Sequence, residues 1–293
     1  AVGAQGLGLA ERTLQGALAH ADERVQGKVV GTPKEDRTSP IVGHPDVRRM
    51  LLDMRSITEA MRGICLMNAV AMDGASALSD EDDRQKAEDL NELLIPITKA
   101  WCTDMGVEVT SLAVQVFGGM GFVEETGVSQ FFRDARIAPI YEGTNGIQAM
   151  DLVGRKLPMR AGGVVTDTMA NIRATIDELN GQEELAGIAS RLSEATDALD
   201  EATQWIFANS GDIRDVLSGA TPYLRMWGLV VGGWVLGKSA LAATEWAAEG
   251  GDEAFCTEKV RTARWFADQQ LPAVAGLVPR ATAGAALMDE ASL

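Results

Sequence analysis

The chain has 293 residues, of which 46% are hydrophobic and 5% aromatic, and its net charge at pH 7 is -16. This length is enough to bury a sizeable core made mainly of small and aliphatic side chains. The negative charge argues against a nucleic-acid partner, which would require clustered Lys and Arg, and against an anionic membrane surface.

The apolar pattern predicts helices nearly throughout the chain and almost no strand. The first helix covers residues 1–25 and has no preceding cap or initiating methionine, so we expect the chain to be a piece of a longer or processed protein. A polar loop with several prolines follows over residues 31–45. Long helices are then predicted over residues 46–72 and 84–117, the second with Pro96 near its first turns or at a kink.

A second group of helices follows the long ones. A short helix is predicted over residues 129–135, and another begins near Thr144, a candidate N-cap. Beyond Gly162 the composition becomes rich in alanine and acidic residues, with Thr221 as a predicted N-cap and Pro222 at the first helical position. The helices predicted in this region cover residues 164–180, 182–209, 222–248 and 252–271.

These patterns predict an all-α fold. We expect residues 1–161 to form a long up-and-down helical bundle and residues 162–293 to form a second, smaller helical domain. The apolar run from Met226 to Gly237 is too short to span a bilayer, which takes about 20 apolar residues, and is typical of a buried helix. We interpret the tryptophans Trp227 and Trp234 as core side chains.

Cysteines and histidines give no sign of a metal or thiol site. Cys65, Cys102 and Cys256 lie far apart in apolar helical runs, which predicts neither a disulfide framework nor a thiolate metal site. The only imidazoles, His20 and His44, argue against a zinc site and a His-dependent triad. No basic segment followed by an apolar block opens the chain, so we expect a cytoplasmic location.

One carboxylate stands out at a predicted chain reversal, in the segment Pro139-Ile140-Tyr141-Glu142-Gly143-Thr144-Asn145-Gly146. Gly143 supplies backbone freedom, and a helix is expected to start at Thr144. Glu142 can therefore point into a cleft and act as a base. The alternative is that Glu142 is only a capping acid before a helix N-terminus.

Two further strings accompany this corner, namely residues 115–122, with the pair Gly118-Gly119, and residues 131–136. Together the three strings resemble the C-terminal half of the FAD-dependent acyl-CoA dehydrogenases. The region beyond Gly162 resembles the extra helical domain of the longer members, a branch that includes enzymes acting on 3-methylmercaptopropionyl-CoA. Nothing in these residues singles out that substrate.

The resemblance implies a set of flavin contacts. Residues 23–28 resemble a family segment whose arginine contacts the FAD of a neighbouring subunit, which assigns that role to Arg24, although the family's Phe is missing here. Gln115, Gly118 and Gly119 match a turn that lets the backbone approach the dinucleotide. Arg24 could equally be a surface partner of Asp22 or Glu23, and a Gly-Gly pair alone indicates only a tight turn.

The resemblance also implies the reaction. Glu142 would remove a proton from the carbon beside an acyl-CoA thioester while a hydride goes to FAD, with Thr144 contacting the flavin and with Tyr141 and Gly143 beside the substrate. The backbone N–H of the base and a ribityl hydroxyl of FAD would hydrogen-bond the thioester carbonyl. A carboxylate enclosed by an acyl chain and a flavin loses solvent and becomes a stronger base.

Other functions and partners remain open. A non-catalytic helical oligomerisation module and a flavin oxidase on the same scaffold are the alternatives. The family suggests a homodimer or homotetramer and an electron-transfer flavoprotein or similar acceptor. For Arg133, Asp134 and Arg136 we expect a structural ion-pair network rather than catalysis, and for His44 a loop position.

Overall fold

The computed structural model describes residues 1–33 and 38–292, which form helices and no strand. The prediction of an all-α fold is therefore confirmed. An isolated backbone bridge between Val25 and Pro40 joins the two sides of the predicted polar loop. Residues 34–37 of that loop lie outside the described residues.

Three long helices form the first part of the chain. They are α1 (Val2–Glu23), α2 (Pro45–Ala77) and α3 (Glu81–Phe117). Both long amphipathic helices extend further than their sequence patterns suggest. Pro45 begins α2 because a proline costs nothing at a position whose N–H has no intrahelical partner.

The N-terminus of α3 has a specific cap. The Asp80 side chain accepts a hydrogen bond from the backbone N–H of Asp83 at 3.0 Å, so the helix begins just before the predicted residue 84. Pro96 lies in the interior of α3, well beyond its first turns.

Glycines let α1 approach α3 at backbone distance. A Cβ atom built on Gly3 would lie 2.5 Å from the carbonyl oxygen of Thr98, and one built on Gly6 would lie 2.6 Å from that of Cys102. Real Cβ atoms do not approach backbone oxygens so closely, so these positions require glycine. The close approach fixes the position of α1 along the middle of α3, which is the part of α3 that contributes to the candidate site.

Short elements connect the bundle to the rest of the chain. The left-handed residues Arg160 and Ala161 (φ 48° and 55°) turn the chain sharply just before the next long helix. The elements are α4 (Gly119–Phe122), a 3₁₀ turn (Glu124–Thr126), α5 (Val128–Ala135), α6 (Asn145–Asp151), a π-helical turn (Leu152–Lys156) and a 3₁₀ turn (Met159–Gly162).

Seven α-helices follow residue 162 in the part of the chain that the structure describes. One prediction for this region is wrong: α10 begins before Thr221, with Gly219 at its N-cap, and Thr221 makes no capping hydrogen bond there. Pro222 still lies in the first turn, where its missing N–H is harmless. The helices are α7 (Gly163–Asn180), α8 (Ala186–Ala208), α9 (Ile213–Ser218), α10 (Ala220–Ala248), α11 (Glu253–Gln269), α12 (Ala273–Ala281) and α13 (Ala286–Glu290). The sequence patterns did not predict α9, α12 and α13.

Helix α10 is the central helix of the core. Every residue from Met226 to Gly237 is buried, so the helix is enclosed on all sides rather than along one stripe. The helix is long and apolar enough to cross a membrane, but 78% of its most apolar segment is buried inside the fold. A Cβ atom at Gly228 would lie 2.1 Å from the ring of Trp101 in α3, so glycine allows this contact.

The two parts of the chain share buried contacts. Helix α10 lies against α2, α3 and α6, and α11 lies against α2. Buried side chains from both parts form one continuous apolar cluster. The division into domains at residue 161 stays a prediction.

Candidate active site at the Glu142 corner

The chain reverses direction at Glu142 with an unusual backbone. Glu142 has φ 57° and Gly143 has φ 79°, so two consecutive residues adopt the left-handed conformation. For a residue with a Cβ atom this conformation costs about 1–2 kcal/mol. The Glu142 side chain is exposed at this corner. Backbone strain at a residue whose side chain can take part in acid–base chemistry is typical of a functional position.

Helix α6 starts immediately after the corner. The Thr144 hydroxyl accepts a hydrogen bond from the backbone N–H of Ile147 at 3.4 Å, which confirms Thr144 as the N-cap. The backbone N–H of Asn145 donates to the carbonyl oxygen of Pro139 at 3.0 Å and closes the loop. The base candidate therefore sits on a short loop held at both ends.

A buried lysine of α3 holds the corner from its protein-facing side. Lys99 is only 8% exposed, and its ammonium group donates to the Gly143 carbonyl oxygen at 2.8 Å and to Asn145 Oδ1 at 2.7 Å. Burial lowers the pKa of Lys99, while the nearby negative charges of Asp104 and Glu142 act in the opposite direction. The ammonium group thus lies near the carboxylate that would act as base.

Asn145 joins the corner to α3 through its side chain. Its Nδ2 group donates to Asp104 Oδ1 at 2.7 Å and to the Ala100 carbonyl oxygen at 3.0 Å, and it lies 3.0 Å from Thr103 Oγ1. Lys99 can only donate and the Asp104 carboxylate can only accept, so the two neighbours determine which way the amide faces. Asn145 therefore points into the protein.

The second part of the chain, from α7 onwards and called the tail below, contributes charge to the same region. Burial raises the pKa of Asp104, whereas its hydrogen bond from Asn145 and the positive charge of Arg225 in α10 oppose that rise. Arg225 also forms an ion pair with Glu108 of α3 at 2.8 Å. The network under Glu142 thus reaches from α6 through α3 to the second part of the chain.

Tyr141 faces away from this network. Its hydroxyl group contacts Gln5 Oε1 of α1, and its ring borders a shallow cavity together with Leu9 and Ile137. On the other side of the corner, Gln148 Nε2 donates to the Glu142 carbonyl oxygen at 3.4 Å. The described contacts of Tyr141 therefore tie the corner to α1.

Three of the predicted flavin contacts meet in a separate groove. Arg24, Gly118 and Gly119 line this groove together with His20 and Phe117, whose rings stack with centroids 4.1 Å apart. A Cβ atom added to Gly118 or Gly119 would meet nothing within 4 Å, so the glycine backbone is open to an approaching group.

Gln115 lies just outside the lining of that groove. Its side chain is exposed and its carbonyl oxygen accepts a hydrogen bond from the N–H of Gly118 at 3.0 Å. The groove and the Glu142 corner share no lining residue. The family resemblance assigns Arg24 to the flavin of a neighbouring subunit, and that assignment stays a prediction.

The contacts of Arg24 and Arg133 bear on the alternative roles predicted for them. Arg24 donates to Gln26 Oε1 at 2.8 Å, and neither Asp22 nor Glu23 is its ion-pair partner within the described residues. Arg133 pairs with Glu124 at 2.8 Å, which confirms a structural ion pair for this one member of the predicted network.

One smaller prediction also has an outcome. His44 Nε2 donates to the Gln26 carbonyl oxygen at 2.9 Å and ties two parts of the loop together. In the described ranges 1–33 and 38–292, no group of three potential metal ligands is found.

Sequence reasoning missed Lys99, Asn145 and Asp104 as site residues. A signal was present, because Lys99 carries a charge within the mostly apolar run of residues 93–102 in α3. The contact between α3 and α6 joins residues more than 40 positions apart, and no local pattern reports it.

The sequence matches two family models. Residues 1–157 match "Acyl-CoA dehydrogenase, C-terminal domain", and residues 168–291 match "Acetyl-CoA dehydrogenase C-terminal like". The chain is 46% identical over 274 residues to 3-methylmercaptopropionyl-CoA dehydrogenase of Ruegeria pomeroyi, an alignment that covers 92% of the chain and 46% of that protein.

Solved structures share the fold. An acyl-CoA dehydrogenase complexed with FAD from Bacillus anthracis matches with a TM-score of 0.74 at 19% identity, covering 96% of this chain and 48% of that one. ACDH-11 of Caenorhabditis elegans in complex with C11-CoA matches with a TM-score of 0.72 at 18% identity, covering 91% and 41%. The chain thus spans about half the length of the relatives it matches, and it belongs to the acyl-CoA dehydrogenase family as a C-terminal portion.

Proposed function

We propose that this chain carries the catalytic base of an FAD-dependent α,β-desaturation of an acyl-CoA thioester, and that Glu142 is that base. The observation that carries the proposal is the strained, exposed carboxylate at a corner that is fixed on both sides by Thr144 and Lys99. A rigid, accessible carboxylate is what removal of a weakly acidic proton requires.

The open glycine backbone supports the cofactor assignment. Gly118 and Gly119 leave room for a phosphate-bearing group, and Arg24 in the same groove supplies a fixed positive charge. These residues fit a dinucleotide, and the B. anthracis protein of the same fold is an FAD complex. Arg24, Gly118 and Gly119 would hold the diphosphate region, with Gln115 at the edge and Thr144 beside the flavin of the other surface.

The reaction divides between cofactor and chain. Bound FAD would supply the acceptor for the hydride that leaves the β-carbon of the acyl group. Glu142 takes the α-proton on its carboxylate, so the carbon–carbon double bond forms without a metal ion. Gly143 and the corner backbone place the carboxylate, and the backbone N–H of Glu142 is the proposed donor to the thioester carbonyl.

The substrate and partners are proposed at the level of class. An acyl-CoA thioester is supported by the names of the relatives, and the R. pomeroyi relative suggests 3-methylmercaptopropionyl-CoA as the first compound to assay. An electron-transfer flavoprotein or similar acceptor would reoxidise the cofactor. A homodimer or homotetramer would bring an Arg24 groove of one subunit to the flavin of another.

The test is a Glu142→Gln variant in the full-length protein that carries this chain. We expect loss of acyl-CoA turnover by several orders of magnitude while FAD stays bound, because the amide keeps the shape but cannot take a proton. Glu125→Gln, which changes an exposed acid in the 3₁₀ turn Glu124–Thr126, is the control and should leave turnover unchanged. Unchanged turnover in Glu142→Gln would instead support a non-catalytic helical module.

A flavin oxidase is distinguished by its product. In a dehydrogenase, reoxidation requires an electron-transfer partner, whereas an oxidase forms peroxide directly from oxygen. Peroxide formation in step with substrate consumption, in the absence of any added acceptor, would replace the dehydrogenase assignment by the oxidase one.

A further inference from the structure

We infer that Lys99 and Asn145 form a positioning pair that sets the direction of the Glu142 carboxylate by holding the backbone of the Glu142–Gly143 corner. This inference rests on the proposed role of Glu142 as base. Neither residue touches a reacting atom; both act through the loop.

The geometry places the pair against the peptide that follows the two left-handed residues of the corner. The left-handed residues Glu142 and Gly143 could rotate as a unit if nothing held the peptide between Gly143 and Thr144. The Lys99 ammonium group grips that peptide through the Gly143 carbonyl oxygen at 2.8 Å. Lys99 is 8% exposed and lies on the long helix α3, so its side chain is held in place by the bundle. Its hydrogen bond therefore fixes the loop relative to the bundle.

Asn145 completes the clamp because its amide has both an acceptor and donors. Its Oδ1 accepts from Lys99 at 2.7 Å, and its Nδ2 donates to Asp104 at 2.7 Å. An aspartate would place a second carboxylate against Asp104, and a serine is too short to reach both neighbours. The first residue of α6 is thereby fixed to two successive turns of α3.

The clamp also has a link to the second part of the chain. Burial raises the pKa of Asp104, the positive charge of Arg225 opposes that rise, and Arg225 itself forms an ion pair with Glu108 at 2.8 Å. A cavity at this seam is lined by Asp104, Asn145 and Arg225 together with apolar residues of α3, α10 and α12. The helical tail therefore supports the helix that carries Lys99.

The first experiment measures the loop itself and needs neither cofactor nor substrate. Hydrogen–deuterium exchange of the peptide covering residues 139–148 is compared between the chain and its Lys99→Met variant. We expect exchange about tenfold faster in the variant, because the loop loses its clamp. The exchange rate of the same peptide in Lys99→Arg should be closer to that of the parent chain, since arginine keeps a hydrogen-bond donor.

A matched control removes another buried lysine. Lys156 is 5% exposed and pairs with Glu92, away from the corner. Lys156→Met should leave exchange of residues 139–148 unchanged. If Lys99→Met does not fold, Asn145→Ser serves as the second variant with the same expected acceleration. Unchanged exchange in a folded Lys99→Met or Asn145→Ser protein would overturn the inference.

The second experiment measures catalysis in the full-length protein with bound FAD. Lys99→Met should lower kcat about 10- to 100-fold with KM changed much less, because a displaced base misaligns the proton transfer. The kinetic isotope effect with substrate deuterated at the α-carbon should rise, a change that mere loss of stability would not produce. Lys156→Met should leave kcat unchanged.

The outcomes separate this inference from the proposed function. If Glu142→Gln is inactive and Lys99→Met has normal kcat and isotope effect, the positioning pair is refuted and the base stands. If Glu142→Gln is fully active, the proposed function fails first, whatever Lys99→Met does to the exchange of the loop.

Discussion

Asp53 of α2 accepts a hydrogen bond from the indole N–H of Trp265 in α11 at 2.8 Å, although the two residues are 212 positions apart. Asp53 is 9% exposed and also accepts from Gln270 at 3.2 Å and from Arg49 at 2.8 Å. One carboxylate thus joins the bundle to the tail.

We expect Asp53→Ala to lower the free energy of unfolding by about 1–3 kcal/mol, because it leaves the partly buried donors of Trp265 and Gln270 without their acceptor. Urea denaturation followed by far-UV circular dichroism measures the change. Asp46→Ala, which removes only the exposed partner of Arg49, is the control and should cost less than about 0.5 kcal/mol. Equal losses in both variants would contradict the central role of Asp53.

The glycines of α1 provide a matched pair for testing helix approach. A Cβ atom at Gly6 would collide with the Cys102 carbonyl oxygen at 2.6 Å, whereas one at Gly8 meets nothing within 4 Å. We expect Gly6→Ala to destabilise the fold by about 1–3 kcal/mol, since backbone atoms cannot rotate away. Gly8→Ala should be neutral or stabilise by up to about 1 kcal/mol through helix propensity. Thermal unfolding of both variants is the measurement, and a loss of stability in Gly8→Ala alone would refute the contact.

The stability of the fold should depend on pH through His20. Burial, followed by the positive charge of Arg24, lowers the pKa of His20 from its ordinary value of 6.5. The folded state therefore binds this proton less readily than the unfolded state, and stability should fall as pH drops below about 6.5 toward the folded pKa. Denaturation curves between pH 5 and pH 8 measure this slope.

His20→Phe is the variant that isolates this effect. Phenylalanine can keep the stacking on Phe117 but cannot bind a proton. We expect the stability of the variant to vary less with pH over the same window. A pH dependence identical to that of the parent chain would assign the slope to other groups.

The strained backbone of Glu142 predicts a conflict between stability and function. Because Glu142 has φ 57°, Glu142→Gly should be more stable than Glu142→Ala by about 1 kcal/mol, since only glycine adopts this conformation without a steric cost. Chemical denaturation of the two variants compares them directly, and both should be inactive in the full-length protein. Equal stabilities would mean that the corner relaxes without Glu142.

We expect this chain alone to bind FAD poorly and to turn over little or no acyl-CoA. Its Arg24 groove and its Glu142 corner lie on separate surfaces, and the chain spans about half the length of its relatives. The measurement is the flavin absorbance that remains with the protein after mixing with excess FAD and gel filtration. A stoichiometric bound flavin would contradict the prediction.

The amino-acid sequence by itself determined the long helices and the motifs, but not the short helices α9, α12 and α13. The apolar period of α2 and the capping residue Thr144 both act within one or two helical turns, so a local pattern is enough to recognise them. The position of Glu142 at a corner could also be predicted, because Gly143 and the start of α6 are its neighbours in sequence.

Only the tertiary structure decided what holds that corner. The clamp of Lys99, Asn145 and Asp104 depends on the distance between α3 and α6, and the full enclosure of α10 depends on helices from both parts of the chain. Hydrogen-bond geometry is set by three-dimensional packing to within a few tenths of an ångström. A pattern along the chain reports which residues are polar, but it does not report which of them meet.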